Sequence, residues 1–335
     1  MRLIVGIAAV VILLVGAIIL WRSHREDPAW AAYRVRFVQA DGRVVDTGNK
    51  NVSHTEGQGY AMLFAVANND PATFDPVWTW TRDTLRRPDG LFSWRYAPGE
   101  TNPIADKNNA TDGDLMICWA LLQAARLWDR PDYHDAALTL ANAIKSNLII
   151  NEDGDAYLLP GVDGFTGDDK RVLNLSYWIF PALQQLSTET HEPIWQQTIA
   201  TGLRLLETAR FGEHRLPTDW IETSGELRPA ETFPPHFGYD AVRIPLYVIW
   251  ANLATPARTD AMAQFWAHND VAWINVTNGQ LSSEKQSPGM AAIARLTQRS
   301  SPIKMPTKAD IESGDYYNAS LLMLAGLAER QRARK

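Results

Sequence analysis

Three acids in this sequence stand where apolar runs begin, each with glycine or an aromatic residue beside it. They are Glu56 in Ser53-His54-Thr55-Glu56-Gly57-Gln58-Gly59-Tyr60, Asp112 in Ala110-Thr111-Asp112-Gly113-Asp114, and Asp240 in Phe237-Gly238-Tyr239-Asp240-Ala241. Carboxyl groups used in pairs cleave glycosidic bonds: one protonates the leaving oxygen while the other activates water or attacks the sugar. Glu56 and Asp240 are far apart in the chain, so sequence does not give the separation that distinguishes inversion from retention. Each acid also has a plainer reading. Acids near a helix N-terminus offset its dipole, and Ser53 with Glu56, like Thr111 with Asp114, has the spacing of a capping box. Gly57 and Gly59 exceed what a cap needs. Each costs a helix interior up to about 1 kcal/mol relative to alanine, which implies that something bulky, such as a sugar ring, comes close to the backbone.

The chain holds 13 Trp among 335 residues. Such rings fill cores, and they also form flat platforms for sugars. Trp94 in Leu91-Phe92-Ser93-Trp94-Arg95-Tyr96 falls in a long loop, Tyr177 in Asn174-Leu175-Ser176-Tyr177-Trp178, and Tyr316 and Tyr317 before Asn318. A net charge of -6 argues against a nucleic-acid partner. The seven His show no paired metal spacing. The acidic stretch with Asp153, Asp155, Asp163, Asp168 and Asp169 lacks a calcium-loop pattern. We therefore expect neither metal nor other cofactor. Cys118, the one cysteine, lies in the apolar run 115–122 and reads as a small buried hydrophobe.

Residues Leu3 to Trp21 are apolar throughout and flanked by Arg2, Arg22 and Arg25. About 20 such residues span a bilayer, and Gly16-Ala17-Ile18 is a poor cleavage signal. The reading is a signal anchor or signal peptide over 1–25, an exported periplasmic body over 26–335, and a tether to the inner membrane through residues 3–21. No linker divides the body, so a single domain is the simpler organisation.

Past the anchor, helical periodicity recurs and strand-like alternation is scarce. It predicts helices near 28–38, 56–68, 72–87, 112–128, 132–148, 171–187, 191–210, 239–253, 257–270, 286–298 and 314–329. They come as hairpin-like pairs, separated by longer Gly/Asp/Pro-rich segments at 88–110, 150–170 and 212–237. In an all-helical barrel such segments gather at one end and build the binding face.

The three acidic motifs, in this order, resemble glycoside hydrolase family 8, and the likeness runs from about residue 28 to the end. Within the family it is nearest to the endoglucanases that accompany bacterial cellulose synthase. The resemblance implies an all-α (α/α)6 barrel that cleaves β-1,4-glucan with inversion and without cofactor, with the cellulose synthase complex as a partner. It implies Glu56 as general acid, Asp240 as general base, and Asp112 as the carboxylate holding the sugar at the cleavage subsite. By the same resemblance Trp94 is a sugar platform and Tyr177 lines the cleavage subsite, while Tyr316 and Tyr317 stay undecided. A general acid must keep its proton near working pH, so Glu56 is expected to have a raised pKa. Arg243, three residues after Asp240 on the same helix, either keeps that base charged or forms a plain surface pair. Two rival readings remain: another glycan in the same family (chitosan, xylan or mixed-linkage glucan), or a non-catalytic glucan-binding subunit of a cellulose-secretion complex.

Overall fold

The computed structural model describes residues 26–167, 170–299 and 302–333. The apolar segment 3–21 and the pair Asp168 and Asp169 lie outside them. Among the described residues no helix is long and apolar enough to cross a membrane.

Among the described residues twelve α-helices follow one another: α1 Pro28–Phe37, α2 Thr55–Ala67, α3 Pro71–Leu85, α4 Thr111–Trp128, α5 Pro131–Leu148, α6 Phe180–Thr190, α7 Pro193–Thr208, α8 Arg243–Trp250, α9 Pro256–His268, α10 Pro288–Gln298, α11 Lys308–Ser313 and α12 Tyr316–Arg332. Seven of them carry proline in the first turn, where the missing N–H costs nothing. The even-numbered helices form a closed ring, with α2 against α4, α4 against α6, α6 against α8, α8 against α10, α10 against α12, and α12 back against α2. The odd-numbered helices lie outside it, giving the (α/α)6 barrel.

Composition explains the layering. In α2 every residue from Gly57 to Val66 is buried, and α8 is buried along its whole length. The outer α3 buries only Thr73, Phe74, Val77, Trp78, Thr81 and Leu85, a single helical face.

Two predicted helices need correction. The apolar spacing over 171–187 covers three elements: strand β6 Lys170–Leu173, a 3-10 turn Leu175–Tyr177, and α6 from Phe180. Pro181 was the start signal within that stretch. The helix placed at 239–253 begins only at Arg243, so Asp240 precedes it. The six-residue α11 escaped periodicity analysis, although a capping box of Thr307 and Asp310 marks its start.

The three long segments meet at one end of the ring. Strand β1 Ser53–His54 pairs with β2 Arg95–Tyr96 beside the start of α2. Thr111 N donates to Pro160 O at 2.9 Å, and Val162 N to Asn109 Oδ1 at 2.8 Å. Strand β6 then pairs with β7 Ile221–Glu222 from the third segment.

Candidate active site

The helix starts differ from the capping boxes expected of them. At α2 the cap is His54, whose Nδ1 accepts from Gly57 N at 3.0 Å. Ser53 Oγ instead accepts from Arg43 at 3.1 Å. At α4 no side chain caps the helix. Thr111 Oγ1 donates to Leu159 O at 2.6 Å, and the buried Asp114 accepts from Phe92 N at 3.0 Å and Asn109 Nδ2 at 2.8 Å. Both residues tie the long segments to the helix end.

The glycines also have another cause. A Cβ on Gly113 would lie 2.0 Å from Thr55 Oγ1, one on Gly59 2.5 Å from Met116 Cβ, and one on Gly57 2.6 Å from the Tyr316 hydroxyl. They let α2 and α4 come into near-backbone contact and seat Tyr316. The close approach is helix on helix, not sugar on backbone. Its effect is to bring Glu56 and Asp112, each in the first turn of its helix, side by side.

Arg243 joins them from α8. Its Nη2 lies 3.3 Å from Glu56 Oε1, 3.7 Å from Asp112 Oδ2 and 3.0 Å from Asp240 Oδ1, and the side chain is only 5% exposed. The plain surface pair is therefore excluded: this guanidinium is a buried hub for three carboxyls. Because one nitrogen touches both Glu56 and Asp240, those two oxygens are no further apart than the two distances combined.

Electrostatics sorts the acids. Burial works to raise Glu56, but Arg243, His54 and the Tyr60 hydroxyl, which donates to Glu56 Oε1 at 2.7 Å, outweigh it and hold the carboxyl below its usual range. Burial and the neighbouring Glu56 charge push Asp112 well above the usual range. Asp112 lies further from Arg243 than Glu56 does. Beyond its hydrogen-bonding contact with Glu56 it accepts only from Gly113 N, at 2.8 Å. The upward shift expected at Glu56 thus falls on Asp112, the acid further from the cation.

Asp240 is held from elsewhere. Asn174 Nδ2 donates to its Oδ2 at 3.0 Å, and Asn174 is itself fixed by accepting from Ser176 N at 3.0 Å and Ser176 Oγ at 2.7 Å. The turn carrying Asp240 rests on Asp219, whose Oδ1 accepts from Gly238 N at 3.1 Å, Asp240 N at 3.2 Å and Ala241 N at 2.7 Å. Burial, then the charge of Asp240, raises Asp219 to about 7. Neither Asn174 nor Asp219 was singled out from the sequence; the one available signal was a carboxylate, Asp219, inside a long segment that had to close on the site.

A cleft of about 240 Å³ brings together Glu56, Asp112, Asp240 and Arg243 with Trp94 and Tyr177. Tyr316 and Tyr317 line it too, so both reach the site. Trp94 is half-buried and its Nε1 donates to Asp106 Oδ2 at 2.8 Å, which fixes the plane of the ring. Among the described residues, larger hollows of about 280, 610, 680 and 940 Å³ contain none of the candidate acids, the arginine or the candidate aromatic platforms. Volume does not locate this chemistry.

Residues 1–331 match the profile of Glycosyl hydrolases family 8. A probable endoglucanase of Novacetimonas hansenii is 40% identical over 310 residues, covering 90% of each chain. An endoglucanase of Cellulomonas uda is 41% identical over 296 residues, 87% of this chain and 82% of that one. Among solved structures, the endo-β-1,4-glucanase CMCax from Acetobacter xylinum superposes with a TM-score of 0.87 at 39% identity, covering 92% of this chain and 99% of that one. Fold, site and relatives agree: the chain belongs to glycosyl hydrolase family 8.

Proposed function

We propose that this chain is an endo-β-1,4-glucanase that hydrolyses internal bonds of β-1,4-glucan in a single displacement with inversion, using residues 26–335 as one catalytic domain. The observation that carries the acid/base reading is the Arg243 hub, which sets Glu56 and Asp240 on one buried cation beside a cleft walled by aromatic rings; it bounds only their nearest oxygens, and inversion rests on the family to which the chain belongs. Relatives near 40% identity named as endoglucanases support the substrate class.

In this reading Glu56 is the general acid. Its proton comes from the pair it forms with Asp112, moving onto Glu56 as the glycosidic oxygen displaces water from the cleft. Glu56 then gives that proton to the leaving oxygen as the C1–O bond breaks. Asp240, kept oriented by Arg243 and Asn174, removes a proton from the water whose oxygen bonds to C1. Asp112 also positions the sugar at the cleavage subsite, and Trp94 and Tyr177 offer ring faces along the cleft. Arg243 balances charge as protons move, in a buried site where such terms are large.

Glu56→Gln and Asp240→Asn are each expected to abolish release of reducing ends from carboxymethyl cellulose while circular dichroism stays parental. Full activity in either variant would remove that residue from the mechanism. The same assay on chitosan, xylan and mixed-linkage glucan tests the substrate class. We place the enzyme in the periplasm, tethered by residues 3–21 and acting on glucan emerging from a cellulose synthase complex. Recovery of the full chain in an alkaline-washed membrane fraction, and its loss on deleting 1–25, checks the tether. Co-purification with the synthase checks the partner.

A further inference from the structure

Asp219 lies outside the acid/base set, yet its carboxylate is spent entirely on the segment that carries the base. Its own N–H donates to His236 O at 2.7 Å, and its Oδ1 collects the N–H groups of Gly238, Asp240 and Ala241. Three convergent amides form an anion-holding concavity of the kind found at backbone nests. Here the anion is supplied by the protein itself. The fit is close: a Cβ on Gly238 would lie 3.0 Å from Asp219 Oδ2 and 3.2 Å from Trp273 Cβ. A turn with no helix of its own is thereby fixed at both ends, by Asp219 on one side and by α8 on the other.

We propose that Asp219 is a positioning residue for the general base: by holding the turn from Gly238 to Ala241 it aims the Asp240 carboxylate at the attacking water. This rests on the assignment of Asp240 as base. The charged and titratable groups whose fields reach Asp219 are Asp240, Arg243 and Tyr317. With its carboxyl raised to about 7, Asp219 is ionised above neutrality and loses its charge below it. The turn is then held by a weaker acceptor.

The test compares Asp219→Ala and Asp219→Asn in the full chain, with cellopentaose as substrate and kcat and KM measured from pH 5 to 9. The alanine variant leaves the turn unheld, and kcat is expected to fall roughly 10²-fold with KM little changed. The asparagine variant keeps an acceptor oxygen, so it recovers most of that kcat but lacks the ionisation near pH 7 that the parental kcat profile carries. Parental kcat in Asp219→Ala would overturn the proposal. So would a parallel loss of kcat, KM and melting temperature without rescue by asparagine. If the alanine variant does not fold, the asparagine profile decides, and a profile identical to the parent rejects the role. Asp240→Asn is run beside them: activity there indicts the base assignment, whereas an inactive Asp240→Asn with a fully active Asp219→Ala indicts Asp219 alone.

Discussion

The proposed acid side and the proposed base side of this cleft are built in opposite ways. Glu56 and Asp112 sit on first turns of two inner helices, brought together by glycines that let the backbones nearly touch. Their placement follows from packing, and is as rigid as the core beneath it. Asp240 stands on a turn outside any helix, held by Asn174, Asp219 and Arg243 from three other stretches of chain. The acid side should therefore lose stability and activity together, while the base side should lose activity first.

Arg243→Gln is the severest challenge, because Arg243 serves both sides. Removing one partner from a buried charge cluster costs about 3–5 kcal/mol of stability, and kcat should fall by roughly 10²-fold or more. Urea unfolding and initial rates check both. A stable, active variant would mean that the carboxyls compensate one another without a cation.

Asn174→Asp probes the base side alone. The new carboxylate would face Asp240 Oδ2 where an amide now donates. Losing a hydrogen bond to a charged group, worth about 1.5–3 kcal/mol, predicts a kcat lower by roughly ten- to a hundredfold at neutral pH. At pH 5 the new carboxyl can protonate and donate, so the melting temperature there should stay near parental.

Gly113→Ala probes the acid side. A methyl group 2.0 Å from Thr55 Oγ1 and 2.8 Å from Glu56 N must push α2 and α4 apart. Overpacking of this kind costs about 1–3 kcal/mol. Melting temperature and kcat should fall together, and a normal melt with low kcat would erase the contrast between the sides.

Away from the chemistry, Asp114 tests the pH dependence of stability and leaves activity the least affected. Burial is the main reason its carboxyl is raised to about 8 from 3.8. The folded state holds this proton more tightly than the unfolded state, so its contribution is fully present below pH 3.8 and is lost as pH rises through about 8. Asp114→Asn should flatten the decline of melting temperature between pH 5 and 8. A decline identical to the parent would show that Asp114 does not titrate in that window.

The same contrast governs what could be read from the sequence. Helices α2, α4, α10 and α12 were legible because long apolar runs are local signals, whereas the starts of α6 and α8 were not; Glu56 and Asp112 were legible because they sit on such starts. Arg243 was legible as a neighbour of Asp240 but not as a hub, since its contacts to Glu56 and Asp112 depend on ring closure. The glycines were noticed and assigned the wrong neighbour: a helix and a sugar make the same demand for space. Asp219 carries no local pattern, because its partners are fixed only when the 212–237 segment folds back on the turn; Asn174 caps the 3-10 turn locally, but its bond to Asp240 joins stretches distant in the chain. The strand and 3-10 turn over 170–177 were lost because their apolar spacing imitates a helical stripe.

If Glu56 and Asp240 work as acid and base across a water, hydrolysis passes through no covalent intermediate. Proton NMR of a fresh cellopentaose digest tests it directly, by which anomer of the new reducing end forms first. The α-anomer, relaxing later to the equilibrium mixture, is the result this account predicts. Initial formation of the β-anomer would mean double displacement and contradict it.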